Sequence, residues 1–222
     1  DLRLWLRHLV RDRGPTPTFG QAIACGLILL TIRFFATFAA QAPRSWGEFA
    51  LLQFMTLTVL VLLPVALMTA ALARSPRATL LLRPARGKAV LLAALLAVTL
   101  HPLAMQVTEF IQWLYPIHEQ MRAQLEGLQQ IIMSAPSVWQ IVALMALTPA
   151  ICEELAFRGF ILSGLRHMGS KWGAIAISSL LFGVTHGILQ QSLSAALVGM
   201  VIGYIAVQTG SLLPGIAFHL VY

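Results

Sequence analysis

Residues 48–72 read EFALLQFMTLTVLVLLPVALMTAAL, twenty-five positions with Glu48 as the single charge. A helix needs about 20 apolar residues to cross the hydrocarbon core of a bilayer. This stretch is long enough, and comparable runs lie on either side of it. They cover roughly 18–40, 89–114, 137–162, 172–189 and 192–208, and a further run begins near Leu212. The expected fold is therefore all-α, a polytopic transmembrane helical bundle with about seven spans. Composition agrees: of 222 residues, 58% are hydrophobic and only 10% are charged, with mean hydropathy +0.80. Soluble domains carry about 25% charged residues, so too few are present here to cover a water-facing surface.

The charges that exist are patterned. Arg3, Arg7, Arg11 and Arg13 precede the first run, Arg74, Arg77, Arg83, Arg86 and Lys88 follow the second, and Arg166 and Lys171 follow the fourth. Threading the spans puts all three groups on one side, which the positive-inside rule identifies as cytoplasmic. The N-terminus is expected there, in a cell inner or plasma membrane. A net charge of +7 distributed this way belongs to the membrane and gives no reason to expect nucleic acid. Residues 1–17 read as a basic amphipathic segment ending in Gly14-Pro-Thr-Pro17, and 18–222 as one membrane domain. Residues 117–133 hold His118, Glu119, Arg122 and Glu126, with Met121, Leu125, Leu128 and Ile132 at helical spacing. That pattern predicts an amphipathic helix at the interface. Gln190-Gln191 is expected to be a tight turn. The last run counts only eleven residues from Leu212 to Tyr222, and the segment is expected to be cut from a longer chain.

Ionisable groups inside a bilayer are costly and by default mark function. Eight fall within the runs: Arg33, His101, Glu109, Glu153, Glu154, Arg158, His186 and His219. Glu154 and Arg158 are four apart with the acid first, the favourable order for pairing along a helix. Glu153 points about 100° away and is left for another job. His186 and His219 lie in later spans and cannot face lipid cheaply. The simplest arrangement turns both toward Glu153, where two imidazoles and a carboxylate hold and polarise a water. Pro149 removes one helical hydrogen bond and frees the Met145 carbonyl. The remaining intramembrane groups have structural readings. Arg33 is expected to snorkel or to pair with a carboxylate, His101 beside Pro102 to sit at a kink, and Glu109 to be interfacial. Cys152 is expected to be an apolar filler, and Gly199-x-x-x-Gly203 a close helix contact.

Three segments together carry a resemblance. Glu153-Glu-Leu-Ala-Phe-Arg-Gly159, Phe182-Gly-Val-Thr-His186 and Gly210-Ser-Leu-Leu-Pro-Gly-Ile-Ala-Phe-His219 resemble, in order, the motifs of the CPBP family. That family contains CAAX prenyl endopeptidases of the Rce type and bacterial intramembrane relatives. The similarity covers residues 137–222. It implies an intramembrane endopeptidase of glutamic type, with a peptide or protein substrate and no cofactor. Carried over, Glu153 and His186 activate the water and His219 donates to the oxyanion, with Glu154, Arg158 and Phe182 in support. A prenylated substrate is implied only by the eukaryotic branch. The family pattern also has an Asn four residues after the last His. That position would be 223, and the chain contains no Asn.

Other peptidase chemistries lack their residues. There is no His-Glu-x-x-His for a zinc protease, the only aspartates are Asp1 and Asp12, and Ser163-Gly164 has Ile161 where a Gly-x-Ser-Gly nucleophile requires Gly. Two alternatives stay open at this level. One is a metal-dependent hydrolase using Glu153, Glu154, His186 and His219, since carboxylate and imidazole suit several metals. The other is a non-proteolytic membrane protein: bacteriocin immunity, a scaffold or proton-coupled transport. Against transport, the sequence shows no pair of matched halves.

Overall fold

A computed structural model describes residues 17–166 and 169–222. The basic segment 1–17 therefore falls, but for Pro17, outside the described residues. Within them every regular element is a helix. In chain order these are α1 (Phe19–Ala39), α2 (Trp46–Leu72), the short α3 (Pro76–Thr79), α4 (Gly87–Leu114), α5 (Glu119–Met133), α6 (Val138–Leu165), α7 (Lys171–Val184), α8 (Leu189–Thr209) and α9 (Leu213–Val221).

Five of these helices, α1, α2, α4, α6 and α8, are long and apolar enough to cross a membrane. They expose large apolar side chains such as Phe34, Phe35, Phe38, Leu91 and Leu92. Soluble monomers rarely leave large contiguous apolar surface to water, whereas lipid accepts it. The chain is an integral membrane protein. The fifth and seventh runs form shorter helices. α7 has 14 residues, about 21 Å at 1.5 Å per residue, shorter than the ~30 Å hydrocarbon core. α9 has nine residues.

Two prolines shape the long helices. Proline has no N–H, and its ring crowds the carbonyl four residues back. In α2 the turns Thr56–Leu62, just before Pro64, widen to π geometry. In α6 the turns Ala143–Leu147, just before Pro149, do the same. The polar groups released by widening find partners. The Thr148 hydroxyl donates to the Ala143 carbonyl at 2.7 Å, and so does the Thr148 backbone N–H. A third π segment, Glu154–Ile161, covers the first motif itself. Such wide turns in otherwise regular helices are frequent at functional sites.

α6 is the centre of the bundle. Phe157, Phe160, Ile161, Leu162 and Leu165 on its second half are buried against α1, α2 and α7. A second apolar cluster joins Ala93 and Ala97 of α4 to Ile202 of α8 and Phe218 of α9. One end of the bundle is tied by polar contacts. Ser163 donates to the Thr79 carbonyl at 2.7 Å, Ser211 to the Arg83 carbonyl at 2.6 Å, and the Leu212 N–H to the Leu81 carbonyl at 3.2 Å. The basic loop after α2, the end of α6 and the α8–α9 turn thus meet at one end, as the threading of spans anticipates. α5 lies at the other extreme of environment: none of its residues is buried.

Candidate active site

The first motif lies in the middle of α6. Arg158 Nη1 donates to Glu154 Oε1 at 3.0 Å, and both side chains are fully buried. Arg158 Nη2 donates to the Gly199 carbonyl at 3.1 Å, and the guanidinium carbon lies 4.4 Å from the centre of the Phe182 ring. A Cβ on Gly199 would come within 3.1 Å of both Arg158 Nη2 and the Phe182 ring. Gly199 therefore does more than ease helix packing: the missing side chain lets the α8 backbone reach the arginine. The pair Glu154–Arg158 is thus sealed on three sides by α7, α8 and its own helix.

His219 approaches from α9 and engages both carboxylates. Its Nδ1 lies 3.1 Å from Glu154 Oε1, and its Nε2 lies 3.7 Å from Glu153 Oε2. A carboxylate only accepts hydrogen bonds, so the short contact makes Nδ1 the donor. Glu154 is therefore a hub rather than one half of a private ion pair, holding Arg158 and His219 through the same oxygen. Its other oxygen, Oε2, is buried without a hydrogen-bond partner. Glu153 differs in access. Its side chain is 16% exposed and that of His219 18%, against 0% for Glu154.

His186 sits differently from its sequence placement. α7 ends at Val184, and residues 185–188 form the turn into α8, with Gly187 at φ 77°. The turn is here and not at Gln190-Gln191, which open α8. A glycine adopts that left-handed backbone at little cost, so the break falls beside it. The Phe182 carbonyl near the end of α7 is satisfied locally. Thr185 Oγ1 lies 2.6 Å and His186 Nδ1 3.1 Å from the Phe182 carbonyl oxygen. A carbonyl oxygen only accepts, so the His186 proton is on Nδ1 and a neutral ring keeps its lone pair on Nε2. The Phe182 ring stands edge-on to both imidazoles, with centroids 4.8 Å from His186 and 6.1 Å from His219.

Glu153, His186 and His219 all line one cavity of about 400 Å³, together with Arg33, Gln53 and Thr185. A water occupies about 30 Å³ in the liquid, so the space admits water and a short stretch of peptide. His186 and His219 also line a smaller cavity of about 220 Å³ on the α8 side. The first half of the chain closes the larger cavity through α1, α2 and Leu128 of α5. Arg33 Nη2 donates to the Thr185 carbonyl at 3.0 Å, and among the described residues no carboxylate pairs with it. Gln53 was not singled out from the sequence, although an amide inside the apolar run 48–72 is the signal that could have found it. Cys152 is buried and free. His101 stands edge-on to Tyr222, centroids 5.5 Å apart, and α4 runs on through Pro102. Among the described residues no three His, Cys, Asp or Glu side chains are grouped to hold a metal ion.

The model of one family, the type II CAAX prenyl endopeptidase Rce1-like family, matches residues 135–222. That segment of the chain is similar to the Rce1-like family. It runs from just before α6 to the end of α9, and it contains Glu153, Glu154, Arg158, Phe182, His186 and His219. The family agrees with the resemblance drawn from the three motifs. No curated protein and no solved structure matches the chain. Arg33, Gln53 and Leu128 lie outside the matched segment.

Proposed function

We propose that the chain is an intramembrane endopeptidase in which Glu153 and His186 activate a water and His219 stabilises the oxyanion. The observation that carries the reading is the shared cavity: one accessible carboxylate and two imidazoles from three different helices or turns face the same space. Water is the nucleophile. One of its protons passes to Glu153 while the oxygen bonds to the scissile carbonyl carbon. The carbonyl oxygen becomes an oxyanion, and a protonated His219, anchored by Glu154 through Nδ1, offers its Nε2–H to that charge. The C–N bond then breaks, and the proton held at Glu153 goes to the leaving nitrogen. His186, with Nδ1–H held by the Phe182 carbonyl, accepts from the water through Nε2 and aligns it. No covalent intermediate forms.

Glu154 and Arg158 position His219. Arg158 balances the charge of Glu154, and Phe182 packs between the guanidinium and the two imidazoles. The substrate is a peptide reaching the cavity from the membrane, and no metal takes part. The N-terminal end faces the cytoplasm across the cell's inner or plasma membrane, on the basic side of the bundle.

The test is cleavage of a membrane-tethered peptide by the purified protein, followed by mass spectrometry of the products, before and after exhaustive chelation. Cleavage is expected, and chelation should leave its rate unchanged. Absence of cleavage across a broad library of tethered peptides would end the peptidase reading. Loss on chelation, with recovery on adding zinc, would replace the water–glutamate mechanism by a metal one.

A further inference from the structure

We propose that Arg33 is a positioning residue for His186. It closes the open end of α7 from the first helix, and so fixes where that imidazole stands in the cavity. The proposal rests on the peptidase reading for its consequence in turnover, and on the contact itself for its structural part.

A helix ends with carbonyls that have no intrahelical partner, and cations are favoured near that end by the helix dipole. α7 has 14 residues, about 21 Å, shorter than the ~30 Å hydrocarbon core of a bilayer, so its last carbonyls need partners from the protein or from water in the cavity. Two side chains of the turn, Thr185 and His186, are spent on the Phe182 carbonyl. The Gly183 and Val184 carbonyls accept the His186 and Gly187 N–H groups at 3.0 and 3.4 Å, and the Thr185 carbonyl beyond them accepts from Arg33 Nη2 at 3.0 Å across 152 residues of sequence. The residue that follows Thr185 is His186. The peptide plane held by Arg33 is therefore the one that leads directly into the imidazole-bearing residue.

The depth fits. Arg33 is fourteen residues into α1, about 21 Å along its axis, matching the length of α7. Arginine suits the task because its charge does not titrate away and its fork offers several N–H groups in fixed directions. No carboxylate lies within ion-pair distance of Arg33 among the described residues, and its one side-chain hydrogen bond goes to Thr185. A charge placed in a membrane span without an acid partner has a local purpose, and the contact at the base of the His186 turn is the one the structure supplies.

The experiment uses the full chain with Arg33→Ala, Arg33→Gln and Arg33→Lys. Three quantities are read: thermal melting in detergent, hydrogen exchange of the amides in 183–188, and kcat and KM on a cleaved tethered peptide. In Arg33→Ala, exchange should quicken in that turn and not in α6. Its kcat should fall about 10²-fold, the scale of a group misplaced by an ångström, while KM holds. Arg33→Lys, which keeps a cationic donor, should recover part of kcat and of protection. Arg33→Gln tests the same point should the alanine variant fold poorly. Unchanged exchange at 183–188, or a loss expressed in KM with kcat intact, would overturn the positioning role. Should wild-type protein cleave no peptide, the peptidase reading fails, and exchange at the turn still decides whether Arg33 holds it.

Discussion

Two adjacent regions of this bundle meet at the cavity and contribute in opposite ways. The segment from α6 to α9 brings the carboxylates and imidazoles. Its polar groups are tied to one another over short distances: Arg158 to Glu154, Glu154 to His219, His186 to the Phe182 carbonyl. The segment from α1 to α5 brings walls, through Phe49, Leu57 and Val61, and isolated polar groups, Arg33 and Gln53. The first kind of region needs particular residues at particular positions, since each member fixes the next. The second needs only shape and a few donors, which many sequences supply. The family match covers 135–222, the part that brings the carboxylates and imidazoles, while the cavity is built by both parts.

The comparison is sharpest at Glu153. Replacing it with Gln removes the group assigned to take the proton of water, while a partly exposed side chain of the same shape remains. Turnover on a tethered peptide should fall by about 10²–10⁴, the usual contribution of a general base, with the melting temperature unchanged. A variant that cleaves at the native rate would remove Glu153 from the mechanism.

Glu154 should behave differently despite being its neighbour. Glu154→Gln takes from the buried Arg158 the carboxylate it is paired with, a loss of about 3–5 kcal/mol for a broken buried pair. Detergent melting should drop clearly. Activity should fall as well, because the amide oxygen left at position 154 is an uncharged and weaker acceptor for the His219 Nδ1–H. Stability equal to wild type would mean that the Gly199 carbonyl and the Phe182 ring suffice to hold the guanidinium.

The weakest effect belongs to the other region. Leu128 lines the cavity from α5, a helix with no buried residue. Leu128→Ser should change stability by less than about 0.5 kcal/mol, as for most surface substitutions, and should alter KM more than kcat. A stability loss comparable to that of Glu154→Gln would show that α5 is integral to the bundle and not merely a cover.

Much of this protein is legible in one dimension. Runs of apolar residues announce membrane helices because lipid offers no hydrogen bonds, so a spanning segment must satisfy its backbone internally and keep its surface apolar. The four-residue spacing of Glu154 and Arg158 specifies their pairing, because helix geometry alone brings those side chains together. Helix ends are less legible. The run 172–189 carries no Asp, Glu, Lys or Arg and so places His186 within a span, yet α7 stops at Val184 and the histidine belongs to a turn. Hydropathy measures where a chain is comfortable and does not register where its backbone breaks.

What tertiary structure alone decided are the contacts between helices. Nothing in the spacing of Glu153, Glu154 and His219 says that the imidazole would take its short contact from Glu154 and stand farther from Glu153. The same holds for Arg33, which finds a carbonyl 152 positions away. Periodicity fixes the direction of a side chain relative to its own helix axis. Which neighbour it meets depends on how helices cross and at what depth each one ends, and those follow from the packing of the whole bundle.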